Sequence, residues 1–98
     1  MNFLEALQEI KNGNRVARRG WAGKGMFLYL TSGTEIPVTQ LKNETLKNLF
    51  GIGVNIEGDA TVKIRSHIDL KSADGSIVIG WCPSQTDMLE EDWYLVVF

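Results

Sequence analysis

Positive charge and an indole crowd one short stretch of this 98-residue chain, where Arg18, Arg19, Trp21 and Lys24 are interleaved with Gly20, Gly23 and Gly25. A flat aromatic face beside cations suits a phosphorylated aromatic ligand, and glycine lets the backbone approach it closely. A plainer reading uses the same residues: Trp21 covers one end of the core and the arginines are solvated. A second polar stretch runs Trp81-Cys82-Pro83-Ser84-Gln85-Thr86-Asp87 and ends at Trp93. Ser84 and Asp87 have the spacing of a reciprocal helix cap, in which each side chain accepts from the other residue's backbone N–H. The N–H groups at a helix start also suit a phosphate or carboxylate, so this stretch reads as a cap or as an anion site.

Other chemistries are excluded by what the residues lack. The Gly23-Lys24-Gly25 run is not a phosphate-binding P-loop, because the glycine spacing is wrong and no Ser or Thr follows Lys24. Cys82 is the only cysteine and His67 the only histidine, so no internal disulfide and no Cys/His zinc cluster is expected. Asp87, Glu90, Glu91 and Asp92 supply carboxylates, but no paired histidine or activated nucleophile accompanies them. On the residues alone the case for an enzyme is thin.

Positioning falls to a small set of elements. Asn2 with Glu5 marks a helix start, Phe3, Leu7 and Ile10 form its apolar stripe, and Gly13 ends it. Arg15–Arg19 is short and β-compatible, and the glycine-rich stretch after it reads as a loop. Met26–Thr31 is the clearest strand, with Phe27 and Tyr29 on one face and Met26, Leu28 and Leu30 on the other. It suits a central strand, covered by the helix on one side and by a partner chain or ligand on the other; simple core is the alternative. Pro37 keeps Glu35–Val38 from a central strand position, and residues 40–50 read as a modest helix stopped by Gly51. Strands follow at Val54/Ile56, Val62/Ile64 and Ile68/Leu70. Ala73-Asp74-Gly75-Ser76 is a tight turn, Ile77–Trp81 returns along the sheet, and Trp93–Phe98 is a last apolar strand that must be paired or covered. The fold class is α+β: one antiparallel sheet of about five or six strands, the N-terminal helix packed on one face, and short helices in the connections.

Size and composition agree with a single domain over residues 1–98, with 44% hydrophobic and 22% charged residues and a net charge of −2. That balance argues against a nonspecific DNA or RNA binder, so any positive site is local. No stretch approaches the roughly 20 apolar residues that span a bilayer, and the start lacks a basic region followed by an apolar run. A cytoplasmic, membrane-free protein is expected. A chain this short buries only about two thirds of its unfolded surface, so self-assembly would add useful burial.

Four motifs in order carry a resemblance. Phe3-Leu4-Glu5-Ala6-Leu7, then Val16-Ala17-Arg18-Arg19-Gly20-Trp21 with Gly23-Lys24-Gly25-Met26-Phe27, then His67-Ile68-Asp69-Leu70-Lys71 with Ala73-Asp74-Gly75, and Trp81 with Ser84–Leu89 and Glu91-Asp92-Trp93 together resemble the second Thoeris anti-defence family of phages. The likeness is strongest to the small Bacillus phage members and runs end to end except for residues 39–60. It implies a non-enzymatic sponge that sequesters glycocyclic ADP-ribose, the signal a bacterial TIR-domain enzyme makes on infection, and so keeps the Thoeris effector off in the host cytoplasm. It also implies a homo-oligomer, a tetramer built from dimers, with ligand pockets between protomers. Under that reading Trp21 and Phe27 stack on the base, and Arg18, Arg19 and Lys24 meet the pyrophosphate. Trp81 is a further ligand-binding candidate, with a core role as its alternative, while Ser84, Gln85, Thr86 and Asp87 hold ribose hydroxyls or an anion. Two rival classes remain open: an enzyme that cleaves a nucleotide signal, and an inhibitor that binds a host defence protein through its C-terminal strand.

Overall fold

Asn2 opens the fold: its side chain accepts from the Glu5 N–H while the Glu5 carboxylate accepts from the Asn2 N–H, a complete reciprocal cap for helix α1, Phe3–Lys11. The computed structural model describes residues 1–51 and 58–98, and these divide into two compact units.

The first unit comprises Met1–Ser32 and Ser66–Phe98. After α1 it contributes five strands: β1 Arg15–Arg18, β2 Phe27–Thr31, β5 His67–Lys71, β6 Ile77–Ile79 and β7 Trp93–Val96. They form one antiparallel sheet in the order β6-β5-β2-β1-β7. The Met26–Thr31 run is therefore the central strand, as its apolar character on both faces predicts. Alternation then sorts the side chains. Val16 pairs with Leu28 and with Leu95, and Arg18 pairs with Trp93. Leu28, Val16 and Trp93 join Ala6 and Ile10 of α1 in the buried core. Burying each large aliphatic side chain stabilises by about 1.5–3 kcal/mol, so α1 is held mainly by Ile10 and its apolar neighbours. The turn between β5 and β6 is the Asp74-Gly75 reversal expected: Gly75 takes a positive φ of 90°, and Asp74 accepts from both the N–H and the hydroxyl of Ser76. Helix α3, Gln85–Leu89, precedes β7.

The second unit, Gly33–Arg65, carries a two-stranded antiparallel ribbon of β3, Thr34–Pro37, with β4, Thr61–Ile64. Its helix α2, Asn43–Phe50, is shorter than the expected 40–50 span. The difference has a local cause. Val38–Gln40 closes a separate 3-10 turn, and Leu41 and Lys42 are extended, with ψ near 149° and 148°, before the helix begins. Instead of the single sheet expected, β3 and β4 pair only with each other. The strand expected around Val54 and Ile56 lies outside the described residues. Among the described residues no helix is long and apolar enough to cross a membrane.

Candidate functional site

Three indoles meet beside the core of the five-stranded unit. Trp93 is the buried floor, and Trp21 and Trp81 stand against it edge-on, with ring centroids 5.4 and 6.2 Å from its own. Trp21 and Trp81 are 6.5 Å apart at an interplanar angle of 72°. Both remain half-buried, so each offers part of a ring to solvent. Edge-to-face packing of this kind adds about 0.5–1.5 kcal/mol per pair beyond area burial. The Trp93 indole N–H donates to the Asp87 carbonyl at 2.9 Å, which satisfies the one polar atom on the floor. The plainer reading of Trp21, that it covers one end of the core, describes its packing, and its half-buried side chain leaves the stacking reading open.

Arg18 is not presented to solvent. Strand alternation puts it on the Val16 side of β1, where it is only 8% exposed. Its guanidinium is spent on carboxylates: Nε donates to Asp92 Oδ1 at 2.8 Å, Nη2 to Asp92 Oδ2 at 3.3 Å, and Nη1 to Asp87 Oδ1 at 2.7 Å. The fork on Asp92 is the bidentate geometry that makes such pairs strong. Hydrogen bonding to Asp92 raises the Arg18 pKa against the opposing effect of burial. Arg18 in turn holds the Asp92 carboxyl below its ordinary value, with the Gly20 N–H helping. Burial pushes the Asp87 carboxyl up, but the Ser84 N–H and Arg18 outweigh it and the net shift is downward.

Ser84 and Asp87 form the reciprocal cap expected of them. Asp87 Oδ2 accepts from the Ser84 N–H at 2.9 Å and the Ser84 hydroxyl accepts from the Asp87 N–H at 3.1 Å. The cap and the anion site were alternative readings of one stretch, and the structure shows the cap made. Gln85 and Thr86, the next two residues, are exposed on α3.

The remaining candidates lie on the opposite face of the sheet. Phe27 points away from the core and packs edge-to-face against Phe98, centroids 5.5 Å apart, and at a tilt against Tyr29, 6.0 Å away. Around these rings, Arg15 sits 4.0 Å over Phe98, Arg19 sits 5.2 Å over Tyr94, and Lys71 is 5.8 Å from the Phe27 centroid while donating to the Gly25 carbonyl. Such cation–π contacts contribute about 0.5–1 kcal/mol at exposed sites. A depression of about 630 Å³ opens here between Gly23, Gly25, Phe27, Lys71, Tyr94 and Phe98. Lys24 is exposed on the loop that rims it. An adjoining hollow of about 380 Å³ includes Arg15, whose Nε is buried with no hydrogen-bond partner.

The ten candidate residues therefore fall into two groups. Arg18, Trp21, Trp81, Ser84, Gln85, Thr86 and Asp87 converge on the Trp93 floor and α3, whereas Phe27, Lys24 and the side chain of Arg19 belong to the other face. Trp21 and Phe27 do not form one platform within a protomer. Sequence reasoning missed Asp92 as the partner of Arg18, and Lys71, Tyr94 and Phe98 as neighbours of Phe27. Alternation pairs Arg18 with Val16 on the buried face, and a buried arginine demands carboxylates; that signal could have drawn in Asp92. Nothing comparable flags Lys71, which meets Phe27 only through the β2–β5 register. Among the described residues no cluster of three or more His, Cys, Asp or Glu could hold a metal.

The chain compares clearly with known proteins. A family model described as a Thoeris anti-defense 2-like domain matches residues 1–96. A curated relative, "Thoeris anti-defense 2" of Bacillus phage SP01, is 41% identical over 96 residues, covering 98% of this chain and 94% of the relative. With its aromatic floor, ion-paired Arg18 and capped α3 in place, the chain belongs to the Thoeris anti-defense 2 family.

Proposed function

We propose that this protein is a non-enzymatic phage sponge that binds and sequesters glycocyclic ADP-ribose, the cyclic ADP-ribose isomer made by a TIR-domain enzyme, and so prevents activation of the Thoeris effector. Family membership supplies the anti-defence role. The observation that carries the binding reading is the half-exposed Trp21–Trp81 pair, held edge-on against a buried third indole beside the exposed Gln85 and Thr86 of α3. An adenine stacked on an indole gains about 1–3 kcal/mol by analogy with single-stranded nucleic-acid binders. Arg19 and Lys24, both exposed on the opposite face of the sheet, supply charge for the pyrophosphate from a second protomer, each charge-assisted hydrogen bond adding about 1.5–3 kcal/mol. Gln85 and Thr86 meet ribose hydroxyls. Arg18, Ser84 and Asp87 serve as the frame beneath these groups, because their polar atoms already bond one another.

The frame also favours binding over cleavage. Of the four carboxylates that a hydrolase would draw on, Asp87 and Asp92 are both tied to Arg18 and held ionised, which suits neither to act as a proton donor near neutral pH. The protein works without metal or cofactor, in the cytoplasm of the infected cell, and binds neither DNA, RNA nor membrane. It assembles as a homo-oligomer, a tetramer, with pockets completed between protomers. The exposed apolar residues Ile77, Ile79, Val97 and Phe98 give a second copy surface to cover, and Phe27 shares the face of the sheet that carries Ile77 and Ile79.

The deciding experiment is to incubate the purified protein with lysate from cells whose TIR enzyme is active, wash it, heat-denature it and identify the released nucleotide by mass spectrometry. Intact glycocyclic ADP-ribose is expected. Linear ADP-ribose would replace sequestration with cleavage, and an empty protein would favour inhibition by direct binding to a defence protein.

A further inference from the structure

The proposed site depends on where the Trp21 indole stands, yet Trp21 lies in a 3-10 turn of only three residues, Arg19–Trp21, with no side-chain cap at its start. So short a turn does not hold itself in place. One residue distant in sequence supplies what it lacks. The Asp92 backbone carbonyl accepts from the Arg19 N–H at 3.0 Å, and Asp92 Oδ2 accepts from the Gly20 N–H at 2.8 Å. Arg18 orients that carboxylate through its two-pronged contact. Two consecutive peptide N–H groups of the turn are thus fixed from outside it, and the neighbour of Asp92, Trp93, is the ring on which Trp21 rests.

We propose that Asp92 is the positioning residue of the ligand site: clamped by Arg18, it fixes the Arg19-Gly20 peptides and thereby sets the stacking face of Trp21. This inference rests on the sequestration reading above. Three geometric facts support it. Gly20 lies tight against the clamp, since a Cβ there would be 3.0 Å from Asp92 Oδ2 and 3.1 Å from Arg18 Nη2 and both side-chain ends would have to give by a few tenths of an ångström. The third Arg18 nitrogen reaches Asp87, so the same guanidinium that orders the Trp21 turn also anchors α3 with Gln85 and Thr86. The two parts of the ligand surface therefore share one hub. Finally, the Asp92 carboxylate is negative and would repel a pyrophosphate that approached it directly, which fits a role beneath the surface. Arg18 then acts on the ligand through Asp92 and Asp87, not as a phosphate contact.

The test uses the full-length protein with 5-fluorotryptophan at its three tryptophans, so that fluorine NMR reads each indole, together with calorimetric titration by glycocyclic ADP-ribose. Asp92→Asn keeps the size and an acceptor oxygen but removes the charge that holds Arg18. It is expected to shift or broaden the Trp21 resonance and to weaken binding about tenfold or more, the scale of one charge-assisted contact. Gly20→Ala, whose Cβ presses directly on the Asp92 carboxylate and the Arg18 guanidinium, is expected to move the same resonance and weaken binding in the same direction. Wild-type protein that binds while both variants bind as tightly, or both variants showing an unmoved Trp21 resonance, would overturn the positioning role alone. A wild-type protein that captures no ligand would overturn the sequestration reading and the positioning role with it. Should Asp92→Asn lose its far-UV circular dichroism, Gly20→Ala decides by the same two readouts.

Discussion

The two faces of the five-stranded sheet are both aromatic, but they are built by opposite means. On the helix side, three indoles pack edge-on and the charges of Arg18, Asp87 and Asp92 beside them are partnered: Arg18 by the two carboxylates, and the carboxylates by backbone N–H groups as well. On the other side, Phe27, Tyr94 and Phe98 are attended by Lys71, Arg19 and Arg15 through ring faces, and among the described residues no carboxylate forms an ion pair with Arg15 or Lys71. The first arrangement gives stiffness at the cost of available charge; the second leaves charge available and the rings loosely fixed. A surface that must hold a ligand for long is better based on the first, since groups already in place lose little freedom on binding.

The sharpest way to break this contrast is Arg18→Ala. Removing the guanidinium strands two carboxylates, one of them buried, and is expected to destabilise by about 3–5 kcal/mol, the range for breaking a buried pair from one side. A urea titration checks it, and a loss under about 1 kcal/mol would mean that the helix side is no stiffer than the other. Trp21→Ala comes next: it should remove about 1–3 kcal/mol of ligand affinity while the far-UV circular dichroism stays native. Unchanged affinity would move the site to the Phe27 face. Ser84→Ala should cost about 1 kcal/mol of stability through the lost cap, measured by thermal melting. Phe98→Ala removes a ring that is 85% exposed in the single protomer, so in a urea titration too dilute for assembly it should change stability by no more than about 0.5 kcal/mol; a larger loss there would show that the outer rings are as firmly fixed as the indoles.

Acid should act on both faces, since Asp69 pairs with Tyr29 on the Phe27 side while Asp87 and Asp92 hold Arg18 on the helix side. Asp69, Asp87 and Asp92 all have folded-state pKa values below the ordinary 3.8. For Asp69, burial acts upward, but hydrogen bonds from Thr31 and the Gly80 N–H outweigh it. The unfolded chain therefore binds protons more readily, so these groups stabilise the fold above the ordinary carboxylate pKa and lose that contribution as pH falls through their folded values. Stability is expected to be flat near neutrality and to decline below about pH 4, and Asp92→Asn should shallow that decline. An acid limb identical in the variant would remove Asp92 from the account.

Local chemistry was readable in the sequence where neighbours along the chain supply both partners. The Asn2–Glu5 and Ser84–Asp87 caps and the Asp74-Gly75 turn are all of this kind, and all are made. The central position of Phe27–Thr31 followed from its two apolar faces. What spacing could not reveal depends on register between distant strands. Arg18 looked like a phosphate contact because its charge is visible in the sequence and its partners, far along the chain, are not. Trp21 and Phe27 were expected to stack on one base, yet one lies in a turn against Trp93 and the other on a strand facing away. The separate β3–β4 ribbon was unreadable for the same reason: its strands have the same alternation as those of the larger sheet.

The bond between Arg18 and Asp92 spans 74 positions, and the β1–β7 ladder that brings them together pairs Arg15 with Val96. On a ribosome, α1, β1 and the Trp21 turn emerge long before β7. Until the last strand arrives, Arg18 has no carboxylate to fork onto and the Trp21 indole has no floor. Closure of so distant a pairing is late and entropically costly, so the ligand surface should form in one step with the end of the sheet. A nascent chain halted before Trp93 would hold the cationic loop but no ligand surface, and the onset of binding would date the completion of folding.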